Sequence, residues 1–78
     1  MILEDDFYKK IKKFQNNFNF SYGEFRERLL YESLEYITEG ELDHLLKILV
    51  TRFNKDNLPT IETIIDIATD IYPESIKQ

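Results

Sequence analysis

Seventy-eight residues without a cysteine, 42% of them hydrophobic and including six Phe and five Tyr, describe one small domain held by apolar burial and exclude disulfide or thiolate-metal stapling. Ten Lys and Arg against fifteen Asp and Glu leave a net charge of −5, which opposes unaided binding to phosphate backbones. Apolar runs are only a few residues long, and Met1-Ile2-Leu3 is followed by Glu4-Asp5-Asp6, so the sequence predicts neither a membrane span nor a signal peptide and reads as cytoplasmic.

Phe7, Ile11, Phe14 and Phe18 recur at helical spacing and predict a first helix over 3–18, with Lys9, Lys12 and Lys13 on its opposite side. Glu4, Asp5 and Asp6 fall in its first turn, where they suit the positive end of the dipole and are spaced to pair as Asp5–Lys9 and Asp6–Lys10. Asn16, Asn17 and Asn19 weaken it towards its end. Charge is uneven: residues 1–20 carry four Lys against three acids, while residues 21–78 carry six bases against twelve acids, a basic patch on an acidic body.

Ser21-x-x-Glu24 has capping-box spacing and predicts a second helix over 22–36. Its buried band reads as Phe25, Leu29, Leu30, Leu34, Tyr36 and Ile37, with Glu24, Glu27, Arg28, Tyr31 and Glu35 towards solvent. A second box, Thr38-x-x-Glu41, opens a third helix over 39–53, which carries the clearest stripe in the chain: Leu42, Leu45, Leu46, Leu49, Val50 and Phe53. Asn54-Lys55-Asp56-Asn57 is a polar connection, and Pro59-Thr60 starts a fourth helix over 60–72 that buries Ile61, Ile64, Ile65, Ala68 and Ile71. Ile and Thr are mediocre helix formers, yet the helical period persists here and strand alternation does not. Tyr72-Pro73 ends the segment. The expectation is an all-α fold: a small antiparallel bundle of four helices forming a single domain over 1–78.

No residue pattern points to chemistry. His44, the only histidine, faces away from the leucine stripe and has no partner suited to orient it as a base. Metal ligands are scattered, Gly23 and Gly40 alone make no phosphate loop, and no nucleophile motif surrounds Ser21, Ser33 or Ser75. The sequence therefore predicts a chain that is not an enzyme and takes no metal or cofactor. The segment from Phe53 to Glu62 superficially resembles an EF-hand calcium loop, as does Phe20-Ser21-Tyr22-Gly23-Glu24-Phe25, but the ligand positions fail: counting from Asn54, Pro59 replaces the turn glycine and Ile65 the bidentate glutamate. What remains is partner binding. The lysines of the first helix, Lys9, Lys12 and Lys13, are candidates, and so is Tyr31, which helical geometry sets among Glu27, Arg28 and Glu35 on the side expected to face water.

The stretch from Tyr31 to Ile64 resembles the helical domain of phage helicase-loader and replisome-organizer proteins. Three segments carry the resemblance: Tyr31-x-x-Leu34, Ile37-Thr38-Glu39-Gly40-Glu41-Leu42, and Leu58-Pro59-Thr60-Ile61-x-x-Ile64, each opening or closing a helix. The resemblance implies a non-catalytic DNA-replication accessory protein of a phage or prophage that contacts a replicative helicase or an initiator protein. Such domains carry a flexible extension after the last helix, and this sequence runs seven residues past Ile71. Other readings of the residues are a small acidic phage-encoded inhibitor of a host nucleic-acid-binding protein, a subunit that buries a leftover apolar patch in an oligomer, and a calcium-free EF-hand-like adaptor.

Overall fold

In the computed structural model, which describes residues 2–76, Glu4–Asn17 form helix α1. Phe7, Ile11, Phe14 and Phe18 line its inner side and are all buried. The asparagines that weaken the helix also finish it. Asn19 takes the left-handed conformation (φ 56°), the Asn19 N–H donates to the Asn16 carbonyl at 3.2 Å, and the Phe20 N–H reaches back to the Gln15 carbonyl at 3.3 Å, the paired closure of a Schellman motif.

Helix α2 spans Glu24–Leu34, and its start departs from the expected capping box. Gly23 is the N-cap, at φ 92°, and no side chain caps the helix. The Ser21 hydroxyl accepts instead from the Gly23 N–H at 3.1 Å. Tertiary bonds at Tyr22 explain the shift. Its backbone N–H donates to Gln15 Oε1 and its phenol donates to the Pro59 carbonyl, both at 2.6 Å, so residue 22 bridges α1 to the segment before the last long helix instead of joining a helical turn. Burial pushes this phenol's pKa up to about 12, keeping it a donor.

The other two helix starts follow local chemistry. Helix α3 (Glu39–Arg52) opens with the reciprocal box: Thr38 Oγ1 accepts from the Glu41 N–H at 3.1 Å, and Glu41 Oε1 accepts from the Thr38 N–H at 3.0 Å. Helix α4 (Ile61–Ile71) is capped by Thr60, whose hydroxyl accepts from the Thr63 N–H at 3.1 Å. A last short helix, α5 (Pro73–Ile76), returns Ser75 to α3, where its hydroxyl donates to Glu41 at 2.9 Å. Between α3 and α4 the polar connection is a tight turn closed by two Asn54–Asn57 backbone bonds, with Asn54 Oδ1 accepting from the Asp56 N–H.

Packing contacts close the long helices into a ring in the order α1, α2, α4, α3. Residues adjacent in space give the directions. Phe7 and Tyr8 meet Tyr31 while Lys12 and Gln15 meet Glu27, so α1 and α2 are antiparallel. His44 and Glu41 meet Tyr72 and Ser75, which makes α3 antiparallel to the chain's last helices. Lys10 with Asp43, and Phe14 and Asn17 beside Leu46 and Val50, set α1 parallel to α3. This is the all-α bundle that the hydrophobic periods predict.

Side-chain assignments in three helices are corrected by the packing. In α3 the buried stripe is Leu42, Leu45 and Leu49, while Leu46 and Phe53 are half-buried and Val50 is 44% exposed. In α2 the inward residues are Glu27, Leu30 and Leu34, followed by Ile37, whereas Phe25, Leu29 and Tyr36 lie outside. At about 100° per residue, Phe25 and Leu29 point nearly opposite to Leu34, and one helix cannot bury both sides against the same core. In α4, Ile65 and Ile71 are also only half-buried.

Candidate interaction surface

The inner side of α2 carries a carboxylate. Glu27 is buried, and its partners come from α1: Gln15 Nε2 donates to Glu27 Oε2 at 2.6 Å, and Lys12 Nζ lies 3.2 Å from Oε1. Gln15 is buried too, and it spends its remaining capacity on the Ile11 carbonyl and the Tyr22 N–H. Every polar atom in this cluster is therefore satisfied, and among the described residues no buried side-chain polar atom lacks a partner. Glu27 thus joins α2 to α1 on the same side as Leu30 and Leu34.

The residues expected to bind a partner are redistributed accordingly. Glu27 does not face solvent and serves the α1–α2 contact. Tyr31 is half-buried, with its ring edge-on to Phe7 at 5.1 Å and tilted over Tyr8 at 5.8 Å. Arg28 is exposed and pairs with Glu32 one turn on, at 3.4 Å, while Glu35 is half-buried in the turn after α2. Lys9, Lys12 and Lys13 are exposed, as expected, but Lys12 leans to Glu27. Lys10 does not pair with Asp6; it reaches Asp43 at 2.7 Å and Glu39 at 3.6 Å on α3. The hydrogen bond to Asp43 raises the Lys10 pKa above its ordinary value. Among the described residues no Asp5–Lys9 ion pair forms; Lys10 and Lys12 of α1 pair across to neighbouring helices.

The outer side of α2 is the anomaly of the surface. Phe25 is 80% exposed, Tyr36 48% and Leu29 41%, and the three fall along one line of the helix and the turn after it. Scattered exposed apolar residues are ordinary, but an aligned set that includes a largely exposed phenylalanine makes this side the candidate contact surface. A depression of about 630 Å³ lies beside Phe25, lined also by Tyr8, Lys12, Glu24, Glu27 and Arg28, so the aromatic stands at the rim of a charged hollow. Sequence reasoning placed these residues in the core because apolar side chains default to the inside. The signal against that placement was present: Leu30, Leu34 and Ile37 already form a complete stripe on the other side.

A second hollow, of about 310 Å³, runs between α1 and α3 over Phe14, Leu46 and Val50, with Lys10, Lys13 and Lys47 at its edges. His44 is exposed, and its Nδ1 meets the Tyr72 hydroxyl. The described residues hold no group of three or more His, Cys, Asp or Glu side chains arranged to bind a metal ion. No helix in them is long and apolar enough to cross a membrane. Comparison with protein-family models, with curated proteins and with solved structures finds no match.

Proposed function

We propose that this chain is a non-enzymatic protein-interaction module that docks through the outer side of α2. The observation that carries the reading is the aligned exposure of Phe25, Leu29 and Tyr36 opposite an already complete core stripe. Leaving a phenylalanine 80% in water forgoes most of the burial free energy of a large aromatic side chain, which a partner surface recovers. The anchors are thus Phe25 and Leu29, with Arg28 and Glu35 at the rim.

The resemblance of the Tyr31–Ile64 stretch to phage helicase-loader and replisome-organizer domains supports a role as a cytoplasmic DNA-replication accessory protein of a phage or prophage, and names a replicative helicase as the partner to test. The acidic balance of the chain favours a protein partner over nucleic acid. Titration of the purified chain against the host replicative helicase, with unwinding measured in parallel, tests the reading. Binding is expected to weaken by about 1–2 kcal/mol in Phe25→Ala, as for a central aromatic anchor. A folded chain that shows no binding at tens of micromolar helicase removes the helicase as partner; binding that survives Phe25→Ala and Leu29→Ala unchanged removes the α2 surface.

A further inference from the structure

We propose that the outer side of α2 also pairs with the same side of a second copy of this chain, antiparallel about a two-fold axis. The inference rests on reading that side as a docking surface and adds an occupant for it. Phe25, Leu29, Glu32 and Tyr36 are spaced four, three and four residues apart, which is the seam spacing of a two-helix coiled-coil contact. In an antiparallel pair with the axis at the level of residues 30 and 31, Phe25 meets the partner's Tyr36, and Leu29 packs on the methylene stem of the partner's Glu32.

The charges select this arrangement. Arg28 and Glu35 flank the same edge of the seam, one in the first half of α2 and the other just beyond its end. Antiparallel packing brings like edges together with their directions reversed, so Arg28 of each copy faces Glu35 of the other, and the symmetry makes the pair twice. Parallel packing in the same register brings unlike edges together, which sets Arg28 beside Ser33 of the other copy and leaves Arg28 and Glu35 without this pairing. Arg28 is released at little cost, because its present bond to Glu32 is 3.4 Å long and both side chains are largely exposed. One helix side per copy is a small interface, and Glu32 puts a carboxylate in its centre, so the dimer is weak and reversible.

Sedimentation of the intact chain from micromolar to millimolar concentration, with circular dichroism checking the fold of each variant, tests the proposal. The expected result is a concentration-dependent monomer–dimer equilibrium. Leu29→Glu is expected to weaken it by about tenfold or more, as loss of a seam residue does. Glu35→Arg is expected to weaken it by roughly fivefold, and adding Arg28→Glu to Glu35→Arg to restore it to within about twofold, the range of exposed ion pairs. A chain that stays monomeric at millimolar concentration, or a dimer indifferent to Leu29→Glu, overturns the self-pairing; a double reversal that fails to rescue overturns the antiparallel register. The docking reading has its own readout: a monomeric chain whose helicase binding still falls in Phe25→Ala refutes the dimer and leaves that reading standing.

Discussion

Helices α1 and α2 lie side by side and share the Gln15–Glu27 contact, yet they handle their apolar residues differently. In α1 the apolar positions make one stripe, and Phe7, Ile11, Phe14 and Phe18 are all inside, with Lys9, Lys12 and Lys13 outside. In α2 the apolar residues make two stripes on opposite sides, Leu30–Leu34 inside and Phe25–Leu29 outside. A single stripe tells a helix which way to face. With two stripes the choice passes to contacts: Glu27 lies on the Leu30–Leu34 side, and Gln15 and Lys12 of α1 satisfy it there, which offsets the cost of burying it. This orientation buries Leu30, Leu34 and a satisfied Glu27 and leaves a phenylalanine in water.

The sharpest test of this difference substitutes neighbouring leucines. Leu30→Ala is expected to cost about 2–5 kcal/mol, the range for truncating a fully buried leucine, whereas Leu29→Ala should stay within about 0.5 kcal/mol. Urea denaturation midpoints of the two variants measure this directly; similar losses for both would mean that α2 does not face as described.

A second test concerns Glu27. Truncation to alanine removes the acceptor of a short Gln15 bond inside the bundle, at an expected cost of about 1–3 kcal/mol, while Glu24→Ala on the exposed first turn should be nearly silent. Thermal unfolding of both variants gives the comparison, and an unchanged Glu27→Ala would show that α2 is oriented by its leucines alone.

Helix α3 supplies a reference in which local chemistry suffices. Thr38→Ala deletes the capping hydroxyl and is expected to cost about 1 kcal/mol. Ser21→Ala should cost less, since Ser21 does not cap α2. Stability curves in which Ser21→Ala is the more damaging of the two would restore the capping box that Gly23 replaces.

The smallest effect is a pH dependence from the same cap. The Glu41 carboxylate is held below its ordinary value of 4.5, chiefly by the hydrogen bond from the Thr38 backbone, with burial opposing. Its folded pKa is therefore below the unfolded one, so its contribution is complete above the unfolded value and is lost as pH falls through the folded value. Glu41→Gln should reduce the loss of melting temperature on acidification below about pH 4.5 and leave the neutral-to-alkaline side parallel to wild type. An unchanged acid limb would assign that loss to other carboxylates.

The existence of the four long helices and most of their boundaries were determined by sequence alone, because they depend on residues close to each other in the chain, whereas the short α5 after Tyr72-Pro73 was not legible there. Thr38 with Glu41, Thr60 with Thr63, and the asparagines ending α1 satisfy free backbone groups without help from the rest of the chain. The single stripes of α1 and α4 were legible for the same reason, although Ile65 and Ile71 are only half-buried. Three features needed the tertiary structure. Helix α2 begins at Gly23 because Tyr22 is held by Gln15, seven residues away, and by Pro59, thirty-seven away. Lys10 pairs with α3 instead of its own helix because the parallel packing of α1 and α3 brings Asp43 within 2.7 Å. The outward exposure of Phe25 and Leu29, on which the proposed docking rests, depends on which side of α2 the other helices cover, here that of Leu30, Leu34 and Glu27 with its partners on α1. Hydrophobicity is a property of each residue, but burial is a property of the neighbours that the fold brings to it.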